Sequence, residues 1–334
     1  MNRVIIRRIA TKSTSTLRPF HEIFPRKRLI NRILFELDSN DTYKTLYPNF
    51  ETLYLKHELP STVSGPQLLL MDRVLLEVSK QQKMINEVLM KMRGELLELA
   101  AGKGENDAIS TVCYNILSSP KDDSKGDAED ASRLIGELVK AGNVLTFKHL
   151  GDLSRLKGDI NEAKLWYDKF MECVDQDETR VSDVSIIGQV LERLGEIEFN
   201  QSRVLGAEKY WLDAIARSKL EDSVKSYFYL SKVYLNSEPL KSRVLLENCA
   251  TQGFRESFKE LGYLELNYFK NLVKANEWFR LGMELFEIEC FFGFFDSCYQ
   301  LKEYKSCSKC LKSLETFKNI NESYKKYGFR IRIS

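Results

Sequence analysis

A Leu-Gly pair followed 12 to 14 residues later by a small side chain recurs through the later part of this 334-residue chain. The copies are Leu150-Gly151 with Ala163, Leu194-Gly195 with Ala207, Leu230-Ser231 with Ser242, Leu261-Gly262 with Ala275, and a degenerate Phe294-Phe295 with Cys307. Their leading positions step by 44, 36, 31 and 33 residues, close to the roughly 34 of a tetratricopeptide-type hairpin. Four positions beyond each small residue stands a large one: Tyr167, Trp211, Leu246, Phe279 and Leu311. In the copy at 254–285, Phe254, Phe258, Leu261, Leu264 and Tyr268 form one apolar stripe at helical spacing, and Ala275, Trp278, Phe279, Gly282 and Leu285 a second. The small residue lets two helices approach, and the bulky one fills the groove between them. A pair of such helices cannot bury both faces alone and needs neighbours of its own kind. The pattern therefore predicts an all-α fold, an α-α superhelix (solenoid) of helical hairpins. Trp166, Trp211 and Trp278, the three tryptophans of the chain, all fall in the bulky slot and are expected to anchor the core rather than form an aromatic binding box.

Charge is distributed unevenly. Residues 1–35 hold nine Lys/Arg against Glu22, a net of +8, and the remaining 299 residues carry 41 basic and 47 acidic side chains, a net of −6. Residues 1–20, with five basic residues, five Ser/Thr and no acid, have the composition of a mitochondrial presequence. Residues 24–37 make a second basic amphipathic segment, with Leu29, Ile33 and Leu37 on one side and Ile30 and Leu34 beside them. Its cations Arg26, Lys27, Arg28 and Arg32 are candidates for contact with an anionic membrane surface, peripheral and reversible at about 1 kcal/mol each. A first helix packed on the array with a solvated basic edge is the competing expectation. No apolar run reaches the ~18–20 residues of a membrane span. Seven cysteines, scattered over helical positions, read as free thiols.

The organisation expected along the chain is a presequence (1–20), a basic amphipathic and capping segment (21–66), a helical-repeat solenoid (67–318) and a basic tail (319–334). Within this scheme one long helix is expected from about Gln67 to Ala101, ending at Gly102. The polar stretches 118–130 and 175–183 are expected to be solvated loops.

Catalytic signatures are sparse. His21, His57 and His149 each lack a second ligand at metal spacing. Gly102-Lys103-Gly104 lacks the frame of a phosphate loop. Cys307-x-x-Cys310 resembles half a zinc or redox site, but Cys307 already fills the small slot of the fifth copy. No cofactor is expected. The run Cys290–Phe295 is different, because Phe291, Phe292, Phe294 and Phe295 cover more than one face of a helix. Either both sides are buried, or some of these rings line a groove for an apolar peptide, so they are the candidate partner-binding residues.

Residues 245–296, LLENCATQGFRESFKELGYLELNYFKNLVKANEWFRLGMELFEIECFFGFFD, resemble the C-terminal repeats of a family of fungal mitochondrial proteins of the tetratricopeptide/Sel-one-like class. Members are needed for export of the C-terminal tail of cytochrome c oxidase subunit II across the inner membrane. EIFPRKRLINRILFELD (22–38), AAGKGENDAIS (100–110) and LGEIEF (194–199) share the likeness. The resemblance implies a non-enzymatic assembly factor in the mitochondrial matrix, peripherally attached to the inner membrane. Its implied partners are subunit II and an insertase of the YidC/Oxa superfamily with its export helpers, and it brings no catalytic residues. The alternative is a helical-repeat RNA-binding translational activator of a mitochondrial mRNA. The acidic body argues against nucleic acid, and a continuous Lys/Arg stripe along one groove would restore that alternative.

Overall fold

The computed structural model describes residues 18–82, 86–119, 125–177, 181 and 183–326, and every described element is helical. The chain divides into two compact units, Met1–Arg180 and Val181–Ser334. The expected presequence lies almost wholly outside the described residues.

In the first unit, a short turn α1 (Phe20–Ile23) leads to α2 (Lys27–Glu36), α3 (Tyr43–Lys56), α4 (Gly65–Gln82) and α5 (Glu87–Gly102). These share one core that runs from Phe20 to Ala108 and includes Ile33, Phe50, Leu68, Met71 and Leu96. Residues 21–66 are therefore built into the same core as the first hairpin. Phe20 is buried and stacks on Phe24 at 4.8 Å. The single helix expected over 67–101 is instead the hairpin α4–α5. Asn86 starts the second arm by accepting from the backbone N–H of Val88 and Leu89, a cap that satisfies two orphan donors. Arg93 ties the arms together by donating to both oxygens of Asp72 at 2.9 and 3.3 Å.

Two further hairpins complete this unit: α6 (Asn106–Ser118) with α7 (Lys125–Lys140), and α8 (Val144–Lys157) with α9 (Ile160–Gln176). The stretch 118–130 is thus only partly a loop. Asp127, Glu129 and Asp130 stand at the start of α7, where a helix N-terminus favours negative charge. Of the acids of 175–183 that are described, Asp175 stands in the last turn of α9 and Asp177 just beyond it. Asp183 caps α10 (Val184–Asn200), accepting from Ser185 N–H at 2.9 Å.

The second unit is a run of four hairpins among the described residues. Helix α10 pairs with α11 (Val204–Arg217), and α12 (Val224–Tyr234) with α13 (Pro239–Thr251). Helix α14 (Arg255–Tyr263) pairs with α15 (Leu272–Glu284), and α16 (Ile288–Gln300) with α17 (Tyr304–Lys326). Consecutive helices pack on one another in chain order, so successive connections alternate between two edges of the stack.

The repeat pattern resolves into a size match inside each hairpin. A Cβ on Gly151 would overlap the Tyr167 ring, one on Gly195 the Trp211 ring, and one on Gly262 the Phe279 ring. Where the large residue is only Leu246, the glycine slot holds Ser231, and Ser242 Oγ donates to Ser231 carbonyl O at 2.8 Å, joining the two arms. The buried bulky slot is the fourth position: Tyr167, Trp211 and Phe279 are fully buried, whereas Trp166 and Trp278, one position earlier, are half-buried. In the fifth copy the buried slot is Cys310, and Leu311 is exposed.

The stripe from Phe254 to Tyr268 departs from regular spacing. After Tyr263 the helix widens into a π turn over Leu264–Tyr268. The extra residue per turn swings Tyr268 out to solvent and carries Glu265 into the core with no exposed surface. Glu265 meets Arg243 Nε of α13 at 2.9 Å, and Arg243 also stands 5.2 Å from the Phe269 ring centroid.

Candidate functional site

Helix α16 carries the four candidate phenylalanines, and the fold separates them. Phe291 is buried, and its carbonyl accepts from Cys310 Sγ at 3.3 Å. Phe294 packs partly against the core around Phe279. Gly293, in the middle of the run, is where the Phe279 ring lies against α16, since a Cβ there would overlap it. Phe292 is 53% exposed. Phe295 is half-buried and stacks with exposed Tyr299 at 6.4 Å, and Tyr299 meets Tyr304 edge-on at 5.9 Å. Phe292, Phe295 and Tyr299 fall at i, i+3 and i+7, so they share one helix face. That face, which Tyr304 adjoins, is an exposed aromatic surface on the second unit. Tyr299 and Tyr304 were not singled out by sequence reasoning; the i+7 spacing from Phe292 is the signal that finds Tyr299.

On α2 the apolar face is taken up by the core, with Ile30, Ile33 and Leu34 buried and Leu29 and Leu37 packed against them. The helix therefore cannot lay that face into a bilayer. Arg26, Lys27, Arg28 and Arg32 remain on the solvent side. Arg32 is partly engaged, donating to Gln81 and standing 3.7 Å from Glu36. Beside these cations Phe35 is 86% exposed. A depression of about 410 Å³ opens next to it, lined in part by Lys27, Asn31, Tyr43 and Lys44.

A continuous basic stripe on the first helices of the second unit's hairpins would mark an RNA solenoid. All five Lys/Arg on α10, α12, α14 and α16 are instead in ion pairs. Lys225 pairs with Glu192 at 3.5 Å, Lys232 with Glu260 at 3.9 Å, Lys259 with Glu289 and Arg255 with Glu287 at 3.0 Å, each bridging to the next hairpin, and Arg193 pairs with Glu196 at 3.4 Å. This surface holds its own charge in balance and offers no row of free cations to a phosphate backbone.

Ionisable groups inside the fold are held in forms suited to packing. Cys249 and Cys290 are pushed up to about 12, and Cys113 and Cys310 to about 11, by burial, which keeps them as thiols at neutral pH. No group of three or more His, Cys, Asp or Glu among the described residues is arranged to hold a metal ion. His149 is buried, stacked on Tyr114 at 4.8 Å, with Nδ1 2.9 Å from Ser110 Oγ and Thr146 Oγ1 3.0 Å from that hydroxyl. Burial, then the neighbouring Lys148 ammonium, lower its pKa to about 3. The unfolded imidazole takes a proton near pH 6.5 and the folded one does not. Stability is therefore unaffected by this group above about pH 6.5 and falls by about 1.4 kcal/mol per pH unit below it, down to about pH 3. Denaturant titrations at pH 7 and pH 5 should show this slope, and His149→Gln should flatten it.

The fold defines an all-helical repeat protein of stacked hairpins. The chain is 37% identical over 332 residues to the mitochondrial protein MSS2 of Saccharomyces cerevisiae, covering 94% of this chain and 92% of that one. It belongs to the MSS2 family. The family model described as the MSS2 N-terminal domain matches residues 16–105, which coincide with the single core running from Phe20 to Ala108. Among solved structures, the crystal structure of c5321, a protective antigen present in uropathogenic Escherichia coli strains displaying an SLR fold, is 16% identical. It covers 75% of this chain and 55% of that one at a TM-score of 0.47. The crystal structure of the MamA protein is 14% identical, covering 57% of this chain and 98% of that one at a TM-score of 0.41.

Proposed function

We propose that this protein is a non-enzymatic assembly factor for cytochrome c oxidase, working on the matrix face of the mitochondrial inner membrane. Its client is the C-terminal tail of subunit II. It helps that tail cross the membrane through protein–protein contacts, alongside an insertase of the YidC/Oxa superfamily. Kinship with a mitochondrial relative supports the compartment. The attachment we propose is peripheral: the exposed cations Arg26, Lys27 and Arg28 suit an anionic surface, and no helix among the described residues is long and apolar enough to cross a membrane. The observation that carries the client reading is the aromatic face of α16, with Phe292 and Tyr299 exposed and Phe295 half-buried between them, on a helix that carries no Lys or Arg. An apolar stripe of this kind takes a polypeptide segment better than a polyanion.

The test is to disrupt the gene and label the mitochondrial translation products. Subunit II should be made and inserted while its tail stays on the matrix side. Absence of its synthesis would instead favour the RNA-binding activator. Restoring the gene with Phe292→Asp and Tyr299→Asp together should leave the protein folded, because both side chains are exposed. It should still reproduce the trapped tail. Full rescue by that variant would show that the aromatic face is not where the client binds.

A further inference from the structure

We infer that one edge of the second unit, formed by the turns inside its four hairpins, is a docking face for an anionic lipid surface. This rests on the reading that the protein works at a membrane face, and it assigns a contact separate from α2. Because consecutive helices alternate in direction, the α10–α11, α12–α13, α14–α15 and α16–α17 turns all lie along the same edge. Each places a large apolar side chain in water at the first or second residue of its second helix. Leu205 is 82% exposed, Leu240 66%, Val273 59% and Tyr304 60%. Leu205, Leu240 and Val273 each stand two residues before the small packing residue of their hairpin, Ala207, Ser242 and Ala275. Exposed apolar residues scattered singly are ordinary. One at the same register in three successive hairpins, with Tyr304 one residue earlier in the fourth, makes a row.

The charges around this row have one dominant sign. Lys274 follows Val273 and Lys305 follows Tyr304, and Lys270 and Lys302 stand at the tips of the last two turns, all exposed. Lys241, after Leu240, is also exposed but stands 3.8 Å from Glu238 and over the Tyr234 ring. Lys270 and Lys302 hold φ of +56° and +61°, a conformation more easily met by glycine. The exposed acids on these turns are Glu238 and Glu303, and Arg203 of the first turn is taken by Glu198 at 2.6 Å. The α11–α12 and α15–α16 turns of the opposite edge carry Glu221, Asp222 and Glu284 beside one exposed lysine, Lys219, and the exposed Leu285 and Phe286, while Glu287 there is paired with Arg255 at 3.0 Å. Apolar tips flanked by lysines suit a headgroup layer: the tips enter the acyl boundary, and the lysine stems lie along it with their ammonium groups at the phosphates. A line of separate turns offers a peptide no continuous groove, so a lipid surface is the better occupant.

The test places an environment-sensitive dye at Leu240→Cys or, on the opposite edge, at Glu221→Cys, in the full chain carrying Cys173→Ser. The probes are phosphatidylcholine vesicles with and without phosphatidylglycerol. The dye at position 240 should shift to the blue with the anionic vesicles only, and the dye at 221 should not shift. Leu205→Asp, Leu240→Asp and Val273→Asp combined should lower vesicle affinity by about tenfold or more with the circular dichroism unchanged. If the chain binds vesicles but position 240 stays in water, and Arg26→Glu, Lys27→Glu and Arg28→Glu abolish binding, this edge is refuted while the peripheral reading stands. Failure to bind either vesicle refutes both. A dye response to an acidic amphipathic peptide with none to vesicles also refutes the edge, in favour of a polypeptide.

Discussion

Trp211→Ala is expected to destabilise the second unit by about 3–5 kcal/mol, far more than alanine at either of the other tryptophans. Trp211 is fully buried, its indole N–H donates to the Glu192 carbonyl at 3.3 Å, and its ring stacks on Tyr229 at 5.1 Å. The ring also lies on Gly195, so removing it opens a cavity between the two arms of one hairpin and loosens contact with the next. Trp166 and Trp278 are half-buried and should cost about 1–2 kcal/mol each, as the smaller area they remove from water implies. Urea unfolding followed by circular dichroism separates the cases. Equal losses at all three tryptophans would mean that the third and fourth positions are not distinguished by packing.

Arg243→Ala is expected to cost about 3–5 kcal/mol through what it leaves behind. Glu265 has no exposed surface, and its one ion-pair contact is with Arg243 Nε at 2.9 Å, while neither carboxylate oxygen has a hydrogen bond of good geometry. Removing the guanidinium strands a charge in the core where α13 meets the π turn. Removing both partners, as Arg243→Ala with Glu265→Leu, should restore most of the loss. A double variant no more stable than the single one would show that Arg243 acts through its packing on Phe269 rather than through the charge.

Most of the helical architecture was legible because it rests on a local rule. A Leu-Gly pair and a small residue one helix later report how closely two arms approach, and Gly151, Gly195 and Gly262 each receive the ring the spacing pairs with them. What escaped depended on neighbours. A count of 3.6 residues per turn puts Tyr268 inside and leaves Glu265 out, and the π turn that closes the helix reverses both. The break between α4 and α5 was hidden because the apolar positions on either side continue one stripe. The start of α7 was hidden because Asp127, Glu129 and Asp130 read as loop residues when no helix N-terminus is known to stand beside them. At the candidate site, the two phenylalanine pairs either side of Gly293 could not be divided into core and surface until α17 covered Phe291. The lysines along one edge were out of reach for a different reason: they lie 30 or so residues apart in sequence and come together only once the hairpins stack.

A photo-crosslinking side chain placed at Phe292 puts the grasp of a client to its most direct trial. Irradiated in mitochondria while subunit II is being labelled, it should give an adduct containing newly made subunit II, and the same group at buried Phe170 should give none. An adduct with RNA, or no adduct with any polypeptide while export of the tail proceeds normally, would contradict the account.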